Sequence, residues 1–297
     1  MGRSKSMGKT FKMAALSKWT SVGLMTGLLT AISQPAMPVS ADDRGVMLAA
    51  VSRDNSMLMG GISWGGPMIA QGTADVEPFV RLTESGKWHD LNCTSDNTSG
   101  CPAFERDYLS KPHKYTVISA DGHGATIYTP PAKLSECYDF TEKGSYTGGS
   151  IAGSAIATST PDLFTDSPPP HLLNRVDAEP VLKALSVLIP EKLDSNLHLR
   201  IYSLQLDNHD LVLIQRAAAD VVDPLKRVFM IGEMERGRFQ LLYQGDEEER
   251  NLGTVRVKNG HGFLITTVLD SESQRFHVYG FQDGKLMKIY SGGGSSC

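Results

Sequence analysis

Gly61-Ile62-Ser63-Trp64-Gly65 spells the G-x-S-x-G pattern, in which a strained turn between strand and helix lifts a serine into reach of a substrate. Its surroundings argue against that chemistry. Gly66-Pro67 stands where the helix should begin, and Ser63 lies only 22 residues beyond Ala41, before a hydrolase sheet could have been laid down. The segment reads as a glycine-rich turn bearing a tryptophan. A serine hydrolase using Ser63 with a histidine drawn from His89, His113 and His123 is the alternative. His123 and His261 both sit in Gly-His-Gly ahead of an apolar run, the setting of a turn histidine; either would need a carboxylate brought to it by folding to serve as a base. Asp246-Glu247-Glu248-Glu249 reads as a solvated acidic loop.

Four cysteines remain: Cys93, Cys101, Cys137 and Cys297. None forms a C-x-x-C pair and none has a histidine at ligand spacing, so no metal site is expected, and no cofactor motif accompanies them. Thr94-Ser95-Asp96-Asn97-Thr98-Ser99-Gly100 is turn-forming sequence able to bring Cys93 and Cys101 within bonding distance; Cys137 with Cys297 follows by elimination. Asn92 and Asn97 begin N-x-S/T acceptor patterns. Trp64 and Trp88 are the aromatics that could present a flat apolar surface to a partner.

Strand patterns must position these groups. Short runs of Val, Ile, Leu, Phe and Tyr are punctuated by Asp54-Asn55, Glu84-Ser85-Gly86, Asp121-Gly122, Asp207-Asn208, Arg236-Gly237, Asn259-Gly260 and Asp283-Gly284, residues that tolerate the positive φ of tight hairpins. Two helices are expected. One covers 102–109, with Phe104 and Tyr108 on one face. The other covers 177–189, with Asp177 as cap, Pro180 in the first turn, a stripe of Val181, Leu182, Leu185 and Leu188 and a stop at Pro190. Between them, 145–170 is rich in small residues and proline, with one strand over 151–158.

The 297 residues carry 29 basic and 33 acidic side chains. Arg3, Lys5, Lys9, Lys12 and Lys18 precede the apolar run 22–32, and Val39-Ser40-Ala41 offers the small residues of a cleavage site, so residues 1–41 are expected to be a signal peptide and Asp42 the mature start. Those five basic residues have no acidic companions. Beyond Ala41, 24 basic and 33 acidic residues leave a formal charge of −9. An acidic chain is repelled by phosphate backbones and anionic lipid, so nucleic acid is not an expected partner, and no integral membrane anchor is expected after cleavage. The expected address is periplasmic or extracellular, where disulfides persist.

Phe229–Gly245 aligns without gaps on Phe276–Gly292 at an offset of 47 residues, with Phe229/Phe276, Gly237/Gly284, Tyr243/Tyr290 and Gly245/Gly292 identical. Each copy follows another apolar strand, 211–216 and 263–268. A period near 47 lies in the range of propeller blades and repeated β-meanders. These units resemble the FG-GAP and VCBS propeller repeats of secreted bacterial proteins, and the N-terminal part is similar to exported bacterial proteins of no assigned activity. The resemblance implies an exported β architecture. It departs from the family in its turns, since 219–223 and 270–273 hold too few alternating carboxylates for a hard cation such as calcium. The expectation is therefore a mainly β (α+β) chain of antiparallel hairpin or meander units, propeller-like or sandwich, with one or two helices. Its parts would be the signal peptide 1–41, a β-rich domain 42–165, a Pro-rich linker plus helix 166–195 and a repeated meander domain 196–297. Its role would be that of a non-catalytic binding module for a protein or glycan.

Overall fold

In the computed structural model the described residues are 46–52, 72–82, 87–91, 93, 98–118, 124–134, 141–148, 151, 154–165, 167–188, 199–216, 228–236, 238–245, 249–258, 260–269 and 274–293. They are mainly β and pair antiparallel throughout.

The first sheet is built from β1 (Val46–Ser52), β2 (Thr73–Leu82), β3 (Trp88–His89), β4 (His113–Val117), β5 (Thr126–Thr129), β6 (Glu142–Thr147) and β7 (Ser154–Thr158). Its order is β1-β7-β4-β5-β6-β2, and β1 pairs back on β2, so six strands close into a barrel while β3 extends β2 outside it. Small inward side chains make such a narrow closure possible: Ala49 and Val51, Ala74 and Val76, Ala155 and Ala157 fill the interior beside Tyr115, Val117 and Ile127. Leu91, Phe104, Leu109 and the bridged Cys93–Cys101 pair complete that core, the cysteine Cα atoms 4.5 Å apart. Phe104 and Cys101 come from α1 (Cys101–Phe104), which continues as a π-helical turn over Glu105–Leu109.

Strands β1, β2 and β7 are apolar on their outer face as well. Leu48, Ala50, Val80, Leu82 and Ile156 point away from the barrel into a second core. A bulge in the β1–β2 ladder leaves Phe79 opposite no residue of β1, and its ring joins the same outer cluster.

The C-terminal half is two four-stranded meanders. The first comprises β10 (Leu199–Leu206), β11 (His209–Arg216), β12 (Phe229–Glu235) and β13 (Arg238–Gln244); the second comprises β14 (Glu249–Val257), β15 (Gly262–Leu269), β16 (Gln274–Gln282) and β17 (Lys285–Gly292). The proline-rich segment adds an edge strand to each: β8 (Phe164–Thr165) pairs with β14, and β9 (His171–Leu172) with β10. The last hairpins of the two meanders match pair for pair at the 47-residue offset. Ile231↔Tyr243 corresponds to Val278↔Tyr290, Glu235↔Arg238 to Gln282↔Lys285, and both ladders bulge at the same place. Arg236 and Asp283, likewise 47 apart, both take φ near +50° in two-residue turns. Gly232 is required by contact: a Cβ there would collide with the Phe239 ring and the Gln240 carbonyl.

Four layers result. Helix α2 (Arg175–Leu188) lays Ala178, Val181 and Leu185 on Ile201, Ile214 and Met230 of the first meander. The opposite face of that meander, with Leu204, Leu213, Phe229 and Ile231, meets Leu264, Tyr279 and Leu286 of the second. The far face of the second, with Phe263, Ile265, Phe276 and Val278, meets the outer wall of the barrel. Phe276 stacks on Phe79 there, centroids 4.4 Å apart. Phe229 and Phe276 thus hold equivalent places on faces that point the same way through the stack.

Three sequence readings change. Helix α2 begins before Asp177: Asn174 is the cap, its Oδ1 accepting the Val176 and Asp177 N–H groups, and Pro180 falls inside the helix. Glu249, read with the acidic loop, is the first residue of β14 and 1 % exposed. The N-terminal strands close on themselves as a barrel, which hairpin signals alone do not specify.

Candidate functional site

At one end of the stack the hairpin turns of the two meanders and β3 of the barrel sheet surround an open groove of about 530 Å³. The β10–β11 turn, Asp207-Asn208, forms one wall, and the β16–β17 turn, Asp283-Gly284, the other. His209, His261, Phe281 and Trp88 line it as well.

Each imidazole is held by a carboxylate. His209 Nδ1 lies 2.6 Å from Glu233 Oε1, a pair made within the first meander, and the ring stacks on Phe281 with centroids 3.9 Å apart. His261 Nδ1 lies 3.1 Å from Asp207 Oδ2, a contact spanning 54 residues and joining the two meanders. The other oxygen of Asp207 accepts the Gly262 N–H at 2.7 Å. Asp207 reaches its neighbour because it occupies the left-handed region, φ +53°, of a two-residue turn. In both pairs Nδ1 is committed and Nε2 is the nitrogen left for a ligand.

The two histidines are equivalent by register. On β11 and β12 Val212 pairs with Gly232; on β15 and β16 Leu264 pairs with Tyr279, the residue 47 beyond Gly232. The second strands therefore match at an offset of 52, which carries His209 onto His261. A gapless alignment of the last hairpins cannot reveal this.

Trp88 comes from the barrel sheet. β3 continues the β2 edge through Leu82↔Trp88, and the indole meets Phe263 edge-on, centroids 5.0 Å apart. It is half-buried, not a free surface aromatic. Its indole N–H is shielded from water and donates to no acceptor among the described residues. A shielded N–H without a partner costs stability. Nearby, Tyr290 Oη donates to the Phe79 carbonyl and to Asp90 Oδ1, tying β17 to the barrel beside the groove.

Two buried carboxylates lie away from the groove. Glu249 accepts from Thr266 Oγ1 at 2.6 Å and from Tyr279 Oη at 2.7 Å, with His277 Nδ1 at 3.3 Å. Burial beside that carboxylate pushes the Tyr279 phenol far above its ordinary range. Glu142, inside the barrel, has a thinner shell: Tyr115 Oη at 3.5 Å contacts one oxygen, and Oε1 has no hydrogen-bond partner among the described residues. Burial raises its pKa to about 7, with the Tyr115 hydroxyl pulling the other way.

Of the residues singled out from sequence, the structure places Trp88 and His261 in the groove and bridges Cys93 to Cys101. His89 is exposed on β3. His113 stacks on Tyr108 with Nε2 2.9 Å from that residue's carbonyl, and burial lowers its pKa. Ser63, Trp64, Cys137, Cys297, Asn92, Asn97, His123, residues 1–41, residues 246–248 and the turns 219–223 and 270–273 lie outside the described residues. Sequence reasoning missed His209, Glu233, Asp207 and Phe281; the aspartate-histidine sequence of the β10–β11 turn was the available signal. Among the described residues no group of three or more His, Cys, Asp or Glu side chains is arranged to hold a metal ion, and no helix is long and apolar enough to cross a membrane. The chain matches no protein-family model, and comparison with curated proteins and with solved structures finds no similar one.

Proposed function

We propose that the chain is an exported, non-catalytic binding module of the cell envelope or extracellular space that captures a protein or glycan in the groove between its meander turns. One observation carries the reading. The barrel sheet delivers the Trp88 ring to the seam of the two meanders, where it shares one concavity with two carboxylate-held imidazoles. The volume falls within the roughly 300–1,000 Å³ typical of small-ligand sites. Apolar rings beside a few oriented polar groups are what such sites use for affinity and orientation. The matching registers support treating the meanders as copies of one unit, with the equivalent His209 and His261 both lining the groove. The Cys93–Cys101 bridge suits an oxidising compartment.

Titrating oligosaccharide and peptide panels against the protein and Trp88→Ala, followed by intrinsic fluorescence and calorimetry, tests this. Binding by one class, weakened at least about tenfold in the variant, is expected. Ligand capture that is indifferent to Trp88 overturns it, as does labelling by a fluorophosphonate that disappears in Ser63→Ala.

A further inference from the structure

We infer that the groove takes an oligosaccharide carrying a free amino sugar, with the ammonium at Asp283 and the sugar hydroxyls along the imidazole wall. The inference rests on the binding-module reading above and names its ligand. The charges come first. Among the described residues no lysine or arginine lines the groove, whereas Asp207 and Asp283 do, and Glu233 stands behind His209. Asp207 is engaged by His261 and by the Gly262 N–H, but Asp283, exposed at the turn, ion-pairs with no described residue. A cationic group entering between Asp283 and the rings of Phe281 and Trp88 gains both ion-pair and cation–π attraction.

The lining side chains favour a sugar over a peptide. Extended peptides bind sheets by pairing with an open strand edge. Here most of the lining comes from the two-residue turns closed by Leu206↔His209 and Gln282↔Lys285 and from the residues beside them, while Trp88 and Ile289 come from the edge strands β3 and β17. What the walls offer is side-chain chemistry: two imidazole rings, the Asn208 and Gln282 amides and the rings of Trp88 and Phe281. Such scattered donors and acceptors beside aromatic rings match the hydroxyls and flat apolar face of a pyranose.

The experiment is calorimetric titration of the full chain with a glucosamine tetramer, its fully N-acetylated counterpart and a lysine-containing tetrapeptide, repeated on Asp283→Asn and Trp88→Ala. Asparagine tolerates the left-handed turn position, so the first variant keeps the fold. The glucosamine tetramer is expected to bind, the acetylated one at least about tenfold more weakly, and the tetrapeptide not measurably; Asp283→Asn should cost about tenfold and Trp88→Ala more. Equal affinity for the acetylated tetramer, or indifference to Asp283→Asn, overturns the amino-sugar assignment; if Trp88→Ala still abolishes binding, the groove itself stands. Preference for the tetrapeptide overturns the glycan, and no binding of the glucosamine tetramer overturns the inference outright.

Discussion

The two meanders share a backbone frame and differ in what they bury. Pairing, bulge and turn conformation coincide at the 47-residue offset, yet Met230 and Gly232 of the first correspond to His277 and Tyr279 of the second. The first packs its Met230 face on an amphipathic helix, so that face is apolar. The second is covered on both sides, by a sheet and by a barrel, and between its neighbours it carries Glu249 with hydroxyl donors from Thr266 and Tyr279. A meander frame thus tolerates a buried carboxyl group when its own strands supply the donors, and what the two copies share is the placement of turn residues, not the content of the core.

Equivalent positions supply the sharpest way to break that comparison. Phe229 and Phe276 are both fully buried on faces that point the same way. Alanine at either should cost about 3–5 kcal/mol in denaturant unfolding. If Phe276→Ala costs less than 1 kcal/mol while Phe229→Ala is severe, the second meander is not clasped by the barrel as described.

Glu142 extends the comparison to the barrel, where a buried carboxyl lacks the donors that Glu249 has. Its folded pKa of about 7 stands above the ordinary 4.5, so the neutral acid is the form the fold favours. The stability associated with it is full below pH 4.5 and is lost as pH rises through 7, a change of about 3 kcal/mol. Glu142→Gln should flatten that dependence and leave the variant the more stable protein at pH 8. Unchanged pH dependence in urea titrations from pH 5 to 8 would remove the contrast between the two carboxylates. Tyr279→Phe takes the shortest phenol donor from Glu249 and should cost about 2 kcal/mol at neutral pH. Asp207→Asn keeps the turn and the Gly262 contact and weakens only the exposed imidazole pair. It should shift stability by less than about 1 kcal/mol.

Much of this frame was legible in local sequence. The turn signals Asp207-Asn208, Arg236-Gly237 and Asp283-Gly284 mark hairpins in which Asp207, Arg236, Asp283 and Gly284 take positive φ, and the Phe229/Phe276 alignment predicts a pairing register that the ladders match. What was not legible is non-local. Closure of the barrel depends on β1 meeting both β2 and β7, contacts that no periodicity encodes, although the unbroken apolar run 46–51 is what a strand buried on both faces requires. The groove was hidden for the same reason: His261 acquires its carboxylate from a turn 54 residues earlier, and Trp88 arrives from a different sheet. Glu249 was misread because an acidic run looks solvated until a strand start turns one member inward.

The most direct test of the groove as the binding site is the indole N–H resonance of Trp88, followed by two-dimensional NMR during titration with the glucosamine tetramer. A saturable shift, absent in Trp88→Phe and matched by shifts at His209 and His261, is the expected result, because all three rings line the groove. A Trp88 resonance that stays fixed while residues remote from the meander turns respond would place the binding surface elsewhere and contradict the account.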